Sequence, residues 1–100
     1  MGRVSGRACI VTGAAQGIGK AIGLALLDEG AEVCFADRNA EKLDAIADRD
    51  RAITATVDVS DRSQVRAMID KTVDAFGRLD VMFNNAGVNK PMNFLDMTEE

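Results

Sequence analysis

The sequence predicts an α/β fold built on a doubly wound parallel sheet. Three observations lead to this prediction. Short apolar segments of strand length alternate with longer segments of helical period along most of the 100 residues. A glycine-rich turn, residues 12–19, follows the first apolar segment and opens the first helical one. Hydrophobic residues make up 47% of the chain, which permits a packed core and argues against disorder.

The first strand is predicted at residues 7–12, a short apolar run of the kind found in buried parallel strands. The first helix is expected at residues 17–29. Its apolar positions Ile18, Ile22 and Leu26 recur every four residues, so we expect them to form the face that packs on the sheet.

Gly30 is expected to end the first helix in a left-handed conformation, because glycine adopts a positive φ without steric cost. The second strand is then predicted at residues 32–37. Asn39 is a suitable cap for a second helix over residues 40–49. The alternation of apolar residues with threonine at residues 52–57 predicts the third strand.

The charged residues 48–51 are interpreted as a solvated turn before the third strand. Ser60 is the predicted cap of a third helix at residues 61–76, which Gly77 ends. The fourth strand is expected at residues 79–84. The apolar positions that give the third helix its period are Val65, Met68, Ile69, Val73 and Phe76.

This order of strands and helices is typical of a parallel sheet with right-handed crossovers. The doubly wound, Rossmann-type arrangement would place the strands in the order 3-2-1-4. We therefore expect residues 1–100 to be the N-terminal part of a single doubly wound domain. In this interpretation the sheet is truncated after the fourth strand, which would be an open edge.

Charge and composition exclude several classes of function. The net charge is −4 and the sequence pI about 4.7, which argues against nucleic acid and against an anionic membrane surface as partners. Without a signal peptide or a membrane-length apolar run, the expected location is cytoplasmic. Cys9 and Cys34 are far apart in a chain without His, so we predict no metal site and two buried thiols. The lack of His and Tyr leads us to assign no catalytic residue to this chain.

The glycine turn has the chemistry of a diphosphate site. A diphosphate needs the unpaired N–H groups and positive dipole of a helix N-terminus, approached by backbone without a Cβ. The glycines stand at 13, 17 and 19, which is not the spacing of G-x-G-x-x-G. A P-loop is excluded because Ala14 and Ala21 occupy positions where that motif has glycine and a hydroxyl residue. A plain tight turn is the alternative.

Asp37 ends the second strand, 18 residues beyond Gly19. An acidic residue near that offset accepts hydrogen bonds from the adenosine ribose hydroxyls and repels a 2′-phosphate. A helix-flanking carboxylate is the alternative. Gln16 is neutral, whereas the basic Arg38 could meet a 2′-phosphate. Because Asp37 precedes Arg38, we expect NAD as the cofactor and consider NADP the weaker alternative.

Three segments together resemble the short-chain dehydrogenase/reductase family. Residues 12–19 match its T-G-x-x-x-G-x-G motif, and residues 84–87 match its N-N-A-G motif. Residues 58–59 match its adenine-contacting D-V pair. The resemblance covers the whole chain, and the three motifs follow the first, third and fourth predicted strands. It implies that residues 1–100 are the N-terminal part of a single NAD(P)-binding Rossmann-fold domain.

The resemblance implies a role for each matching residue. Asp58 and Val59 would flank the adenine amino group, and Asn84 would bond within the sheet. The backbone at residues 85–87 would approach the nicotinamide ribose, and the Ile18 N–H would contact the diphosphate. The complete set of expected cofactor-binding residues is Gly13, Ala15, Gln16, Gly17, Ile18, Gly19, Asp37, Arg38, Asp58, Val59, Asn85, Ala86 and Gly87.

The resemblance implies an NAD-dependent oxidoreductase that transfers a hydride between a nicotinamide and an alcohol or carbonyl substrate. The family's Ser, Tyr and Lys proton relay would lie beyond Glu100, so we expect the 100-residue chain alone to be inactive. The intact enzyme would be a homo-oligomer acting on a small molecule. The alternatives are a dinucleotide-binding half-domain that never catalyses and an α/β domain with a purely structural or partner-binding role.

Overall fold

A computed structural model describes residues 5–46 and 49–85. It contains a four-stranded parallel sheet in the order β3-β2-β1-β4, so the predicted fold class and strand order are confirmed. In chain order the elements are β1 (Ala8–Thr12), α1 (Gly17–Asp28), β2 (Glu32–Asp37), α2 (Ala40–Asp44), β3 (Ala52–Thr56), α3 (Arg62–Phe76) and β4 (Val81–Phe83).

The core lies on both faces of the sheet. β1 is central and buried along its whole length, and its Ile10 pairs with Cys34 of β2 and Met82 of β4. Side chains alternate between the two faces. On one face they pack with Leu27 of α1, and on the other with Met68 of α3. Both cysteines are buried and free, as predicted.

The predicted inner face of α1 is only partly correct: Ile22 and Leu26 pack against the core, but the fully buried residues lie one position further along the chain. The buried residues of α1 are Gly19, Gly23 and Leu27. Ile18 is 72% exposed, and the other two residues of the predicted stripe are only half-buried. A Cβ at Gly23 would lie 2.2 Å from the Phe35 ring of β2, so glycine at this position lets α1 approach the sheet closely.

The second helix is shorter than predicted. α2 ends at Asp44, whereas the prediction extended it to residue 49. The Ile46 N–H donates to the Leu43 carbonyl, which is the tighter i→i−3 bond typical of a helix end. Arg49 already lies in a bend, and residues 47–48 are outside the described residues.

The cap of α3 is Asp61 and not Ser60. Asp61 Oδ1 accepts hydrogen bonds from the N–H groups of Ser63 at 2.9 Å and Gln64 at 3.3 Å. A carboxylate is favoured there because the positive end of the helix dipole stabilises its charge. Ser60 instead donates its hydroxyl to Asp58 Oδ1 at 2.7 Å. At the other end Gly77 has φ +82, which confirms the predicted left-handed cap.

The apolar stripe predicted for α3 is only partly buried. Met68 is buried, Val65 and Ile69 are half-buried, and Val73 is 39% exposed. Thr72, which the apolar pattern did not include, is buried, and its hydroxyl donates to the Met68 carbonyl at 2.9 Å. α3 therefore packs on the sheet through a narrow face.

Arg51 has a structural role that its place in a charged turn did not predict. It has φ +65, and its guanidinium donates to the carbonyls of Leu27 at 2.8 Å and Ala31 at 3.3 Å. These acceptors lie at the end of α1 and just before β2. Gly30, between them, has φ +96 and donates its N–H to the Leu27 carbonyl, so its predicted role as a helix end is confirmed.

Candidate functional site

The candidate site lies at the carboxyl edge of the sheet. Because all four strands are parallel, the segments that follow them meet at this edge. The predicted site residues from Gly13 to Asn85 stand in these segments or at the start of α1. Ala86 and Gly87 lie outside the described residues.

The turn between β1 and α1 has the open geometry that an anion requires. Gly13 and Gly17 both have left-handed φ values, +62 and +63. The described residues place nothing within 4 Å of a Cβ built on Gly17, so this glycine borders open space. Gln16, the N-cap of α1, is extended and makes no side-chain capping hydrogen bond within the described residues. The N-terminus of this 12-residue helix is therefore available to an anion.

Gly19 lets the first turn of α1 lie directly against the glycine turn and the segment after β4. A Cβ at this position would lie 2.1 Å from the Gly13 carbonyl oxygen and 2.8 Å from Asn85 Nδ2. Asn85 Nδ2 itself donates to the Gly13 carbonyl at 3.4 Å. The first turn of α1, the glycine turn and the segment after β4 are thus in mutual contact, and Gly19 packs on the glycine turn.

The carboxylate of Asp37 connects the end of β2 to the glycine turn. Its Oδ2 accepts from the Ala15 N–H and its Oδ1 from the Asn39 N–H, both at 3.0 Å. These two bonds fix the orientation of the carboxylate. Because each carboxylate oxygen has two lone-pair directions, the group can still accept from hydroxyls of a bound molecule.

A cavity of about 160 Å³ opens between the ends of β1, β2 and β3. Its lining is Gly13, Asp37, Arg38, Val57 and Val59. The valines supply apolar walls, and the charged pair comes from the end of β2. This arrangement suits a flat heterocycle that carries a hydroxylated sugar at one edge.

Asp58 does not line this cavity. Its Oδ1 accepts from the Ser60 N–H at 3.0 Å and from the Ser60 hydroxyl at 2.7 Å. These bonds, helped by the charge of nearby Arg38, lower the pKa of Asp58 from its ordinary value. The Asp58 N–H donates to Gln64 Oε1 at 2.8 Å. The structure therefore shows Asp58 shaping the connection from β3 to α3, with Val59 as the member of the pair that faces the cavity.

The asparagines after β4 have different surroundings. Asn84 Oδ1 accepts from the Thr12 hydroxyl at 3.0 Å, a contact with the end of the neighbouring β1, as expected. Asn85 contacts the glycine turn through Gly13. Asn84 thus contacts the sheet, and Asn85 contacts the glycine turn of the candidate site.

Sequence reasoning did not identify two charged residues with defined contacts. The Lys42 ammonium of α2 donates to Gln16 Oε1 at the glycine turn. Asp80, before β4, accepts from the Ala8 N–H at 2.9 Å and from Arg78 Nη2 at 2.7 Å. The Arg78 guanidinium, followed by the Ala8 N–H, lowers the pKa of Asp80. Asp80 falls within the predicted fourth strand, but no pattern in the sequence indicated its contacts or those of Lys42.

In the part of the chain that the structure describes, no cluster of three His, Cys, Asp or Glu side chains is arranged to hold a metal ion. Among the same residues, no helix has the length and apolar character needed to cross a membrane.

A family profile and the sequences of known proteins match this chain and agree with one another. A family profile described as short chain dehydrogenase matches residues 7–100. The chain is 45% identical over 98 residues to 15-hydroxyprostaglandin dehydrogenase [NAD(+)] of Mus musculus, covering 91% of this chain and 36% of that protein. It is 39% identical over 103 residues to the 3-oxoacyl-[acyl-carrier-protein] reductase of Thermotoga maritima, covering 98% and 42%. The chain therefore spans well under half the length of these relatives.

Solved structures show the same fold. The hydroxysteroid dehydrogenase from Escherichia coli matches with a TM-score of 0.81 and 31% identity, over 85% of this chain and 38% of that one. The 3-ketoacyl-(acyl-carrier-protein) reductase from Brucella melitensis, complexed with NADH, matches with a TM-score of 0.76 and 26% identity, over 79% and 33%.

Proposed function

The chain belongs to the short-chain dehydrogenase/reductase family, and on that premise we propose that it forms the NAD-binding part of an oxidoreductase acting on an alcohol or carbonyl substrate. The observation that carries the proposal is the Asp37 carboxylate, fixed at the end of β2 by two backbone N–H groups beside an open glycine turn. A ribose placed there would meet an oriented acceptor.

The residues present fit a dinucleotide. Open space at Gly17 and the uncapped N-terminus of α1 suit a diphosphate, whose charge the helix dipole would stabilise. The apolar walls of Val57 and Val59 suit an adenine ring. Asp37 stands between these two parts, where the adenosine ribose would join them.

Asp37 also supports the choice of NAD over NADP. A fixed carboxylate would repel a 2′-phosphate at the same ribose. Arg38 lies close enough to Asp58 to lower the pKa of that carboxyl, so part of its charge acts on Asp58. Two relatives, an NAD(+) dehydrogenase and a reductase complexed with NADH, agree with this choice.

A bound nicotinamide would supply the hydride acceptor or donor of the reaction. The residues of this chain would bind and orient the dinucleotide: Asp37 at the ribose, the glycine turn at the diphosphate, and the segment from Asn85 near the nicotinamide side. The 100 residues include no Tyr and no His to act as the proton donor. We therefore expect these residues alone to give no NADH production from any alcohol. A half-domain that only binds the dinucleotide is the second candidate.

Calorimetric titration with NAD and NADP tests the proposal. The protein should bind NAD more tightly than NADP, and Asp37→Asn should narrow that difference because the repelling charge is removed. Asp70→Asn, the same change on an exposed face of α3, should leave both affinities unaltered. NADP bound as tightly as NAD by the unmutated protein would reject the assignment of Asp37.

Three wider proposals follow from the family and from composition. The intact enzyme would form a homo-oligomer, which light scattering on the full-length protein can test. Its location would be cytoplasmic, with which the two free buried thiols agree. The net charge of −4 supports the proposal that nucleic acid is not a partner.

A further inference from the structure

We propose that Lys42 is a positioning and specificity-determining residue of the dinucleotide site, an inference that rests on the proposed function. Lys42 belongs to α2, outside the motifs of the site, and is exposed. Its ammonium nevertheless donates to Gln16 Oε1 at the N-cap of α1, 26 residues earlier in the chain. This contact spans the gap between α2 and the glycine turn.

The contact closes a ring of hydrogen bonds around the ribose corner. The Ala15 N–H donates to one oxygen of Asp37, and the Asn39 N–H donates to the other. Asn39 Oδ1 in turn accepts from the Lys42 N–H at 3.1 Å. The Lys42 ammonium then returns to Gln16, the residue next to Ala15. The Lys42 side chain therefore links Gln16 to the helix that follows Asp37.

The charge of Lys42 gives this position its effect on specificity. Its partner in the ring is a neutral amide oxygen, so the contact does not cancel the ammonium charge. Asp37, whose carboxylate would repel a 2′-phosphate, belongs to the same ring. The ammonium opposes that repulsion, because two charges of opposite sign act on the same added phosphate. Lys42 therefore allows more binding of NADP than Asp37 alone would permit.

A charge series at this position tests the inference in the full-length protein. Relative to the wild type, Lys42→Met should raise the ratio of the NADP and NAD dissociation constants by about 2-fold to 5-fold, the effect of one exposed charge. Lys42→Glu should raise the ratio further, and Lys42→Arg should leave it within about 2-fold of the wild type. The differences should shrink in high salt, because exposed charges are screened.

Lys71→Met is the matched control. Lys71 also loses one ammonium hydrogen bond on mutation, because it donates to the Thr54 carbonyl, but it lies on α3 away from the ring. This variant should leave the ratio unchanged. A ratio that does not follow the charge at position 42, or that moves equally in the control, would overturn the inference.

The same titrations separate this inference from the proposed function. If the wild type binds NAD, and Asp37→Asn narrows its preference for NAD, the proposed function is supported whatever Lys42 does. If Lys42→Met weakens both dinucleotides by the same factor, Lys42 only supports the structure, and its role in specificity is rejected. Circular dichroism should show every variant folded, and Lys42→Arg keeps the charge if Lys42→Met does not fold.

Discussion

Replacing Gly19 and Gly17 separately with alanine should damage the protein in two different ways. At Gly19 the new Cβ would lie 2.1 Å from the Gly13 carbonyl oxygen, which is backbone and has no rotamer in which to move away. At Gly17 the described residues leave the space of a Cβ empty, but φ is +63, a conformation that alanine adopts at a cost.

The expected magnitudes differ accordingly. Restoring an ordinary contact at Gly19 needs a shift of about 1.3 Å between α1 and the glycine turn. Overpacking of this kind costs typically 1–3 kcal/mol, and a rigid backbone partner places Gly19→Ala at about 3 kcal/mol. For Gly17→Ala the left-handed conformation costs roughly 1–2 kcal/mol, of which the reduced entropy of the unfolded chain offsets roughly 0.4–1 kcal/mol.

Thermal unfolding followed by circular dichroism measures the first effect, and NAD titration measures the second. At about 4–8 °C per kcal/mol, Gly19→Ala should lower the Tm by roughly 12–24 °C. Gly17→Ala, with a net cost of at most about 1.6 kcal/mol, should lower the Tm by at most about 13 °C. Gly17→Ala should nevertheless lose most of its NAD affinity, because its methyl group occupies the space proposed for the diphosphate. A Gly19→Ala protein as stable as the wild type would refute the packing argument. Unchanged NAD affinity in folded Gly17→Ala would refute the argument from open space.

Three further predictions concern the core and the sheet. Gly23→Ala should destabilise the protein by about 1–3 kcal/mol in urea unfolding, and Phe35→Leu in the same chain should recover part of this loss; additive effects would contradict the contact. Asp80 has its pKa lowered from 3.8, so its contribution to stability is present above that value and is lost as the pH falls through the lowered pKa. Asp80→Asn should therefore lower the free energy of unfolding at about pH 7, and that free energy should fall less between about pH 7 and about pH 3 than in the wild type. An equal fall in both proteins, measured by urea unfolding at the two pH values, would contradict this. Burial raises the pKa of the Cys9 and Cys34 thiols, so both should react with a disulfide reagent far more slowly in native than in urea-unfolded protein; equal rates would show that the thiols are accessible.

The sequence was sufficient to predict the sheet but not how its helices pack. The alternation of strands and helices predicted the strand order 3-2-1-4, because parallel connections permit few topologies. The fully buried face of α1 was missed, although Ile22 and Leu26 do pack on the core, because an apolar pattern gives no weight to glycine. Gly23 is buried because the absence of a side chain lets the Phe35 ring pack directly on it. A search for hydrophobic residues does not detect this property.

Polar contacts of the site were even less accessible to sequence reasoning. The position of Asp37 was predicted from its distance to the glycine turn, but its bond to the Ala15 N–H depends on three-dimensional proximity. Ser60 and Asp61 are both acceptable caps by residue type, and the structure selects Asp61 while Asp58 engages Ser60. The contact between Lys42 and Gln16 has no sequence signature, because it joins two exposed side chains from separate helices.

The bond from the Ala15 N–H to Asp37 has a consequence for coenzyme engineering. Exchanging Asp37 for a small or basic residue would remove the charge that repels a 2′-phosphate. In this protein that exchange would also remove the acceptor that holds the turn, so the redesigned variant would gain tolerance for the phosphate and lose order in the loop that receives it. A successful conversion would need a second substitution that supplies another acceptor for Ala15, and selection experiments should recover such pairs before they recover single changes.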